Sequence, residues 1–179
     1  MGSGCFGKVL KGRLGGTDVA IKVLFPQYCS KVVLSKEVKI MSTLKHPNIL
    51  LYMGSCPDKY AIVMECMKCS LSKYLHENEI SWNKKLQFGI DITRGMAWLA
   101  KRNFIHCDLK PENVLLDNNL TCKISDFGLS RIVPNRTHSN NHPVGSILWR
   151  APEILLRKDS PVDTKLDVYA FSLVFWEIL

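Results

Sequence analysis

The sequence lacks a long apolar run. No stretch of its 179 residues reaches the ~18 consecutive apolar residues that a membrane-spanning helix needs, so we expect no membrane span. The longest apolar tract, Tyr169 to Leu179, contains Ser172 and Glu177 and predicts a core helix instead. The chain also lacks a charged N-terminal region followed by an apolar run, so nothing indicates a secretory signal.

A disulfide framework is also missing. The seven cysteines are odd in number and the chain is not small, which argues against such a framework. Cys66-x-x-Cys69 could be a zinc or redox motif, but a zinc site needs a second pair at suitable spacing and none follows. We therefore interpret the cysteines as reduced thiols of a cytoplasmic protein, with the metal site as the alternative.

Acidic residues are in short supply, since 16 Asp and Glu face 24 Lys and Arg, a net charge of +8. A basic excess can indicate nucleic-acid binding. Here no basic run exceeds two residues, and a substrate that carries phosphates explains the excess equally well. We expect no stable nucleic-acid partner.

The pattern of apolar residues divides the chain into two halves, without repeats or long linkers. The first half predicts two strands, Val19 to Leu24 and Tyr60 to Met64, around a helix from Ser30 to Lys45. Pro47 ends that helix, because a proline disfavours helix in the residue before it.

The second half predicts helices and two short strands. The helices are Leu71 to Leu75, Asn83 to Lys101 and one from about Lys165, and the apolar runs are Val114 to Leu116 and Cys122 to Ile124. In the long helix we place Leu86, Ile90, Met96, Ala97 and Leu99 on the apolar side. Strands followed by helices favour an α+β pair of lobes joined near residues 65–70.

A glycine-rich motif opens the chain: Gly2, Gly4 and Gly7 have the spacing G-x-G-x-x-G. Glycines let the backbone approach a phosphate closely, but the motif alone is weak, since dinucleotide-binding folds use it too. Here it is followed by a strand and then by Val19-Ala20-Ile21-Lys22, which is the order found in protein kinases.

Three further motifs make the resemblance specific. They are His106-Cys107-Asp108-Leu109-Lys110-Pro111-Glu112-Asn113, Asp126-Phe127-Gly128 and Ala151-Pro152-Glu153. Over nearly its whole length the chain resembles a eukaryotic protein kinase domain. The resemblance implies a bilobal α+β fold, with a β-rich N-lobe (1–65), a hinge (66–70) and a helical, incomplete C-lobe (71–179).

The resemblance also assigns roles around the phosphates of ATP. Lys22 would hold the α- and β-phosphates and pair with Glu37, although Glu37 could instead lie on a solvated helix face. Asn113 and Asp126 would bind Mg²⁺ through oxygen atoms, although both residue types also favour turns.

Two residues would act in the transfer step. Asp108 would orient the substrate hydroxyl and accept its proton. Lys110, two residues further on, would stabilise charge on the moving phosphoryl group.

The adenine of ATP would lie at the hinge. The backbones of Glu65 and Met67 would form its hydrogen bonds, and Met64 would close the back of the pocket. Val9, Ala20 and Leu115 would sandwich the ring, and each could equally be ordinary core. Met41, His106 and Phe127 would pack in one apolar column, and Asp167 would anchor the catalytic loop.

The type of kinase is suggested by two segments. Lys110-Pro111-Glu112 resembles serine/threonine kinases, and Gly145 to Glu153 resembles the tyrosine-kinase-like group, including its Raf-like branch. We expect transfer of the γ-phosphate of ATP, with Mg²⁺, to serine and threonine hydroxyls of protein substrates in signal transduction. The alternative is a catalytically silent binding module of the same shape.

Two departures from the family pattern matter. Cys107 stands where most of the family has an arginine that meets a phosphorylated activation loop, and a thiol forms no such charge-assisted pair. We therefore expect that phosphorylation between Asp126 and Glu153, at Thr137, Ser139 or Ser146, is not strictly required. Because the chain stops inside the central helix of the C-lobe and Gly2 directly follows Met1, we also expect a kinase domain that is incomplete at both ends and whose activity depends on the missing segments.

Overall fold

The N-terminal part of the chain forms one antiparallel sheet. The computed structural model describes residues 3–4, 7–25, 31–132, 146–156 and 163–179. The sheet has the strand order β1-β2-β3-β5-β4. Its strands are β1 (Ser3–Gly4), β2 (Gly7–Leu14), β3 (Thr17–Leu24), β4 (Tyr52–Cys56) and β5 (Ala61–Glu65). We call this the sheet part.

One helix covers the sheet part. Helix α1 (Lys31–Thr43) buries Leu34 and Met41, whose spacing brings them to one side of the helix. Leu44, which directly follows the helix, is buried as well. These side chains share a core with Ile62 of the sheet and with Phe127 from the second half of the chain. The core of the sheet part is therefore continuous with residues of the second half.

The second half is mainly helical, and we call it the helical part. Its helices are α2 (Leu71–Glu77), α3 (Trp82–Ala100), α4 (Pro152–Leu156) and α5 (Lys165–Ile178). Strands β6 (Cys69–Ser70), β8 (Val114–Leu116) and β9 (Cys122–Ile124) form a small sheet in the order β6-β8-β9. Strand β7 (Phe104–Ile105) pairs with β10 (Arg131–Ile132).

The apolar face of α3 differs from the one that the sequence predicts. Leu86 and Ile90 are 37% and 45% exposed, and Ala97 is exposed as well. The buried residues are Phe88, Gly89, Asp91, Ile92, Gly95 and Leu99. The prediction is confirmed for Leu99, which is buried, and for Met96, which packs against the core. It is wrong for Leu86, Ile90 and Ala97, because close packing against β9 and α5 uses glycine and aspartate instead.

Hydrogen bonds between residues 48–50 and strand β9 connect the sheet part to the helical part, and we call these contacts the joint. Asn48 and Leu50 form backbone hydrogen bonds with Ile124 on β9, at 3.0 and 2.9 Å. The amide Nδ2 of Asn48 also donates to the carbonyl of Cys122 at 3.0 Å. Gly95 on α3 packs directly against this segment, because a Cβ on Gly95 would be only 2.8 Å from the carbonyl oxygen of Asn48. The segment 48–50 is therefore held by the helical part.

The bilobal α+β architecture is confirmed, and most predicted elements are present. Strands β8 and β9 and the start of α5 have the predicted bounds, while β5 begins one residue later than predicted. The predicted lobe and hinge boundaries, 1–65, 66–70 and 71–179, stay predictions. Across the described ranges, no helix is both long enough and apolar enough to cross a membrane.

The close packing at Gly95 leads to a test of the joint. We expect Gly95→Ala to lower the free energy of unfolding by about 1–3 kcal/mol, because the new methyl group must displace Ile124 and the Asn48 backbone. This cost should exceed the gain of about 1 kcal/mol in helix propensity. Urea denaturation measures the change. Gly54→Ala is the control, since a Cβ at Gly54 has nothing within 4 Å, and equal stability of the two variants would contradict the account.

Candidate active site

A cavity of about 570 Å³ lies between the sheet part and the helical part. Strand register explains much of its lining, because Ala20 on β3 lies opposite Met64 on β5, and Lys22 lies opposite Val9 on β2. Ten residues that the sequence assigns to a site line this cavity. They are Val9, Ala20, Lys22, Glu37, Met64, Glu65, Met67, Asn113, Leu115 and Asp126.

Lys22 joins three segments of the chain at the cavity. Its Nζ atom lies 2.9 Å from Oε1 of Glu37 on α1 and 2.8 Å from Oδ1 of Asp126. The side chains of Lys22 and Glu37 are 17% and 6% exposed, and Asp126 is 43% exposed. The structure therefore places Glu37 in an ion pair and away from the solvated helix face.

Lys22 and Asp126 shift each other's pKa. Burial alone would lower the pKa of Lys22, but the charges of Asp126 and Glu37 raise it above its ordinary value. Burial alone would raise the pKa of Asp126, but the Lys22 ammonium lowers it below its ordinary value. Lys22 and Asp126 therefore both stay charged over a wider range of pH than either group would in water.

Asp126 is presented by an unusual backbone conformation. Its φ of 62° lies in the left-handed region, which aspartate tolerates better than most residues. Phe127 follows and is buried, with its ring centroid 5.3 Å from that of His106. Phe127 and Met41 belong to the same buried cluster, so Met41, His106 and Phe127 come together as the sequence predicts.

Asp108 lies in a hydrogen-bonded group next to the cavity. Its Oδ2 accepts a hydrogen bond from Nδ2 of Asn113 at 2.9 Å, and the Lys110 ammonium is 3.4 Å away. Its Oδ1 accepts from the backbone N–H of Ser146 at 2.8 Å, while Lys110 Nζ donates to Ser146 Oγ at 2.6 Å. The structure thus connects Asp108 and Lys110 to the cavity through Asn113, which lines it.

Helix α5 anchors the loop that precedes Asp108. The backbone N–H groups of His106 and Cys107 donate to the two oxygens of Asp167, at 2.8 and 3.0 Å. Cys107 has a φ of 67°, a conformation that a non-glycine residue holds only when its surroundings impose it. Asp167 supplies that constraint from the first turn of the helix.

The hinge segment offers unused backbone groups. Within the described part of the chain, no hydrogen bond uses the N–H or C=O of Met67. The N–H of Glu65 donates to the carbonyl of Leu51 at 3.1 Å, so it is not available to a ligand. Unpaired backbone groups at the edge of an apolar cavity suit a flat heterocycle with donors and acceptors on one edge.

The glycine motif is only partly described. Gly2 lies outside the described residues. Gly4 pairs with Gly7 across β1 and β2, and a Cβ on Gly7 would clash with the carbonyl oxygen of Val23. Gly7 is therefore required for the close approach of two strands, and of the two described glycines neither Gly4 nor Gly7 lines the cavity.

Sequence reasoning missed several residues of the site. It proposed Ser146 only as a phosphorylation site, considered Cys69 only for a zinc or redox motif and Ser70 only as part of the hinge, and assigned nothing to Lys73 or Lys123. Cys69, Ser70 and Lys73 line the cavity. Hydroxyl and lysine side chains are common on surfaces, and no local pattern marks those that tertiary contacts bring to a site.

The side chains that remain could hold a hard cation. Nδ2 of Asn113 is used by Asp108, which leaves the amide oxygen as a possible metal ligand, and Asn113 and Asp126 line the same cavity. Mg²⁺ commonly takes one or two protein oxygens and completes its shell with phosphate and water, so this pair fits it. Among the described residues, no group of three or more His, Cys, Asp or Glu side chains could hold a metal ion, and Cys66 and Cys69 form no disulfide.

The Lys22 cluster makes stability depend on pH. We expect Lys22→Met to lower the free energy of unfolding by about 3 kcal/mol near neutral pH, because Glu37 remains buried without its cation. Because the pKa of Asp126 is lowered in the folded chain, its stabilisation is present above about pH 4 and is lost at lower pH. Because the pKa of Lys22 is raised, its stabilisation is complete below about pH 10.4 and is lost at higher pH.

Denaturation of both proteins between pH 3 and pH 11 measures this dependence. The difference between wild type and Lys22→Met should be largest from about pH 5 to 9 and should shrink toward either end. Lys39→Met, at an exposed lysine of the same helix α1, is the matched control. A difference that stays constant across the whole range would contradict the ion-pair account.

Comparison with known proteins agrees with this geometry. The family model for protein tyrosine and serine/threonine kinases matches residues 1–179. The dual specificity protein kinases shkD and shkA of Dictyostelium discoideum are 39% and 40% identical over 100% and 99% of this chain, and the matches cover 25% and 36% of those proteins. The serine/threonine-protein kinase CTR1 of Arabidopsis thaliana is 37% identical over 99% of this chain and 23% of its own length.

The chain thus spans between about a quarter and a third of the length of these relatives. The name of CTR1 agrees with the predicted serine/threonine type, and shkD and shkA are named dual specificity kinases. The family predicted from the motifs is confirmed: this chain belongs to the protein tyrosine and serine/threonine kinases.

Proposed function

We propose that the chain transfers the γ-phosphoryl group of ATP to serine and threonine hydroxyls of protein substrates. One observation carries this proposal. Lys22 from the sheet part is paired with Glu37 on α1 and with Asp126 from the helical part at the same cavity. Phosphoryl transfer depends mainly on positioning and on neutralising charge, which is what a lysine between two acidic groups at a cavity provides.

The adenine ring would bind at the apolar end of the cavity. Val9 and Ala20 would cover one face and Leu115 the other. The Glu65 carbonyl and the Met67 N–H would bond its edge, which the unused backbone groups of Met67 support. Met64, opposite Ala20, would limit the depth of the pocket.

The triphosphate would extend toward Lys22. Its ammonium would bind the α- and β-phosphate oxygens, and Glu37 would keep that ammonium in place. Asn113 and Asp126 would hold Mg²⁺, which neutralises phosphate charge when it is bound. The assignment of Gly2, Gly4 and Gly7 to the phosphates stays a prediction from the sequence, since Gly4 and Gly7 do not line the cavity.

Asp108 would carry out the proton transfer. It would accept the proton of the substrate hydroxyl as that oxygen forms a bond to the γ-phosphorus and the bond to the bridging β–γ oxygen breaks, so that ADP leaves. Lys110, 3.4 Å from Asp108, would stabilise the negative charge of the moving group. Asp167 would keep this loop in place through the N–H groups of His106 and Cys107.

The substrate class and the compartment are supported by weaker observations. Serine or threonine as acceptor agrees with Lys110-Pro111-Glu112 and with relatives named serine/threonine or dual specificity kinases. A cytoplasmic location, where thiols stay reduced, agrees with Cys56, Cys66, Cys69 and Cys122, none of which forms a disulfide.

Replacement of Asp108 tests the proposal most simply. We expect Asp108→Asn to lower kcat by about 10²–10⁴-fold, because an amide accepts no proton. The measurement is transfer of radiolabelled γ-phosphate to a mixed-sequence serine/threonine peptide in the presence of Mg²⁺. Asp18→Asn, at an exposed aspartate near the start of β3 that does not line the cavity, is the matched control and should retain full activity.

Two outcomes would contradict the proposal. Equal transfer by wild type and Asp108→Asn would remove Asp108 from the reaction. Nucleotide binding by wild type without any transfer to protein would favour a silent binding module of the same fold.

Ser146 gives a second test, since its hydroxyl bonds Lys110 and its N–H bonds Asp108. We expect Ser146→Ala to lower kcat by only about tenfold, because the N–H contact remains. Ser146→Asp should lower kcat by about 10²-fold or more, because the new carboxylate lies beside that of Asp108. Higher activity of Ser146→Asp than of wild type would show that Ser146 is an activating phosphorylation site, contrary to this account.

A further inference from the structure

The side chain of Glu65 is bound on two sides, although Glu65 enters the proposed function only through its backbone. Its carboxylate accepts two hydrogen bonds from Lys123 Nζ, one on each oxygen and both at 2.8 Å. Its Oε1 also accepts from the backbone N–H of Leu51 at 2.7 Å. With the bond from the Glu65 N–H to the Leu51 carbonyl, residue 65 is bonded to Leu51 in both directions.

Lys123 lies where the two parts of the molecule are joined. It is the middle residue of β9, whose neighbours Cys122 and Ile124 hold the segment 48–50. On its other side it lies opposite Leu115, which lines the cavity. The Lys123–Glu65 pair therefore connects the end of β5 to the strand beneath the proposed adenine site.

The Lys123–Glu65 pair is shielded from solvent well enough to contribute to stability. The side chains of Lys123 and Glu65 are 17% and 23% exposed. Exposed ion pairs contribute little, but a shielded pair with both carboxylate oxygens hydrogen-bonded is a stronger contact with a defined geometry. The geometry matters because the Glu65 carbonyl and Met67 lie within two residues of the anchored side chain.

From these contacts we propose that Lys123 is a positioning residue for nucleotide binding. It holds the Glu65 side chain, and through it the hinge backbone, at the spacing from Leu115 that the adenine ring requires. Lys123 touches neither the nucleotide nor the transferred group. This inference rests on the proposed function, because it assigns Lys123 a task at the same site.

The test separates nucleotide affinity from catalysis. Lys123→Met should raise the Kd for a fluorescent ATP analogue with Mg²⁺, and the KM for ATP, by about fivefold to tenfold, which corresponds to loss of one ordered contact. The value of kcat should change by less than about twofold, since the contacts of Asp108 and Asp126 remain intact. Lys123→Arg keeps the charge and the donors, and it should restore Kd to within about twofold of wild type.

A second variant keeps the inference testable if Lys123→Met does not fold. Glu65→Gln retains an oxygen for the Leu51 N–H but removes the charge, and it should raise Kd by about threefold. The double variant should bind no more weakly than Lys123→Met alone, because both changes remove the same contact. Lys39→Met, at an exposed lysine, serves as the control with unchanged Kd.

The outcomes of these measurements distinguish failure of the inference about Lys123 from failure of the proposed function. A lowered melting temperature with unchanged Kd and KM in Lys123→Met would overturn the inference and leave only a structural ion pair. A wild-type chain that binds no ATP analogue would overturn both the proposed function and this inference. Additive effects of Glu65→Gln and Lys123→Met on Kd would also contradict the inference about Lys123.

Discussion

The arrangement of the site depends on one buried cation. The ammonium of Lys22 would be costly to bury alone, so it requires acidic partners close by. It has two of them, and they lie 15 and 104 residues further along the chain. Satisfying this single charge therefore brings together a strand, the helix that covers it and the turn that begins at Asp126. Among the described residues, no other contact at the cavity joins three such distant segments.

A second set of contacts lies behind the cavity and complements the first. Backbone hydrogen bonds join the segment 48–50 to β9, and Gly95 allows α3 to pack directly beneath them. The Lys123–Glu65 pair belongs to this joint. The cavity thus lies between a charged contact near its phosphate end and a hydrogen-bonded joint near its hinge. This explains how a site built from both halves can keep a defined geometry.

Much of this arrangement could be predicted from local sequence, and the failures have physical causes. Strands β8 and β9 are short apolar runs with turn residues between them, so their bounds were predictable. Strand β4 was missed because Tyr52–Cys56 contains Gly54 and its pairing with β5 is irregular at that point. The buried face of α3 was assigned wrongly, because hydrophobicity alone favours Leu86 and Ile90 over Gly95.

The site residues also divide into those that local motifs predict and those that only tertiary contacts reveal. Lys22, Asp108, Asn113 and Asp126 belong to motifs, and their order along the chain was enough to nominate them. Ser146 and Lys123 were not nominated for the site, because their roles arise from contacts 38 and 58 residues away in the sequence. A contact between distant residues leaves no local pattern, so only the fold reveals it.

Equilibrium binding of ATP tests the central claim most directly. The measurement is calorimetric titration of the wild-type chain and of Lys22→Met with ATP in the presence of Mg²⁺. The account predicts that the wild-type chain binds ATP and that the Lys22→Met variant binds it at least about tenfold more weakly, a loss of about 1.4 kcal/mol. Equal affinity in the two proteins would contradict it, because the cation between Glu37 and Asp126 would then have no part in holding the phosphates.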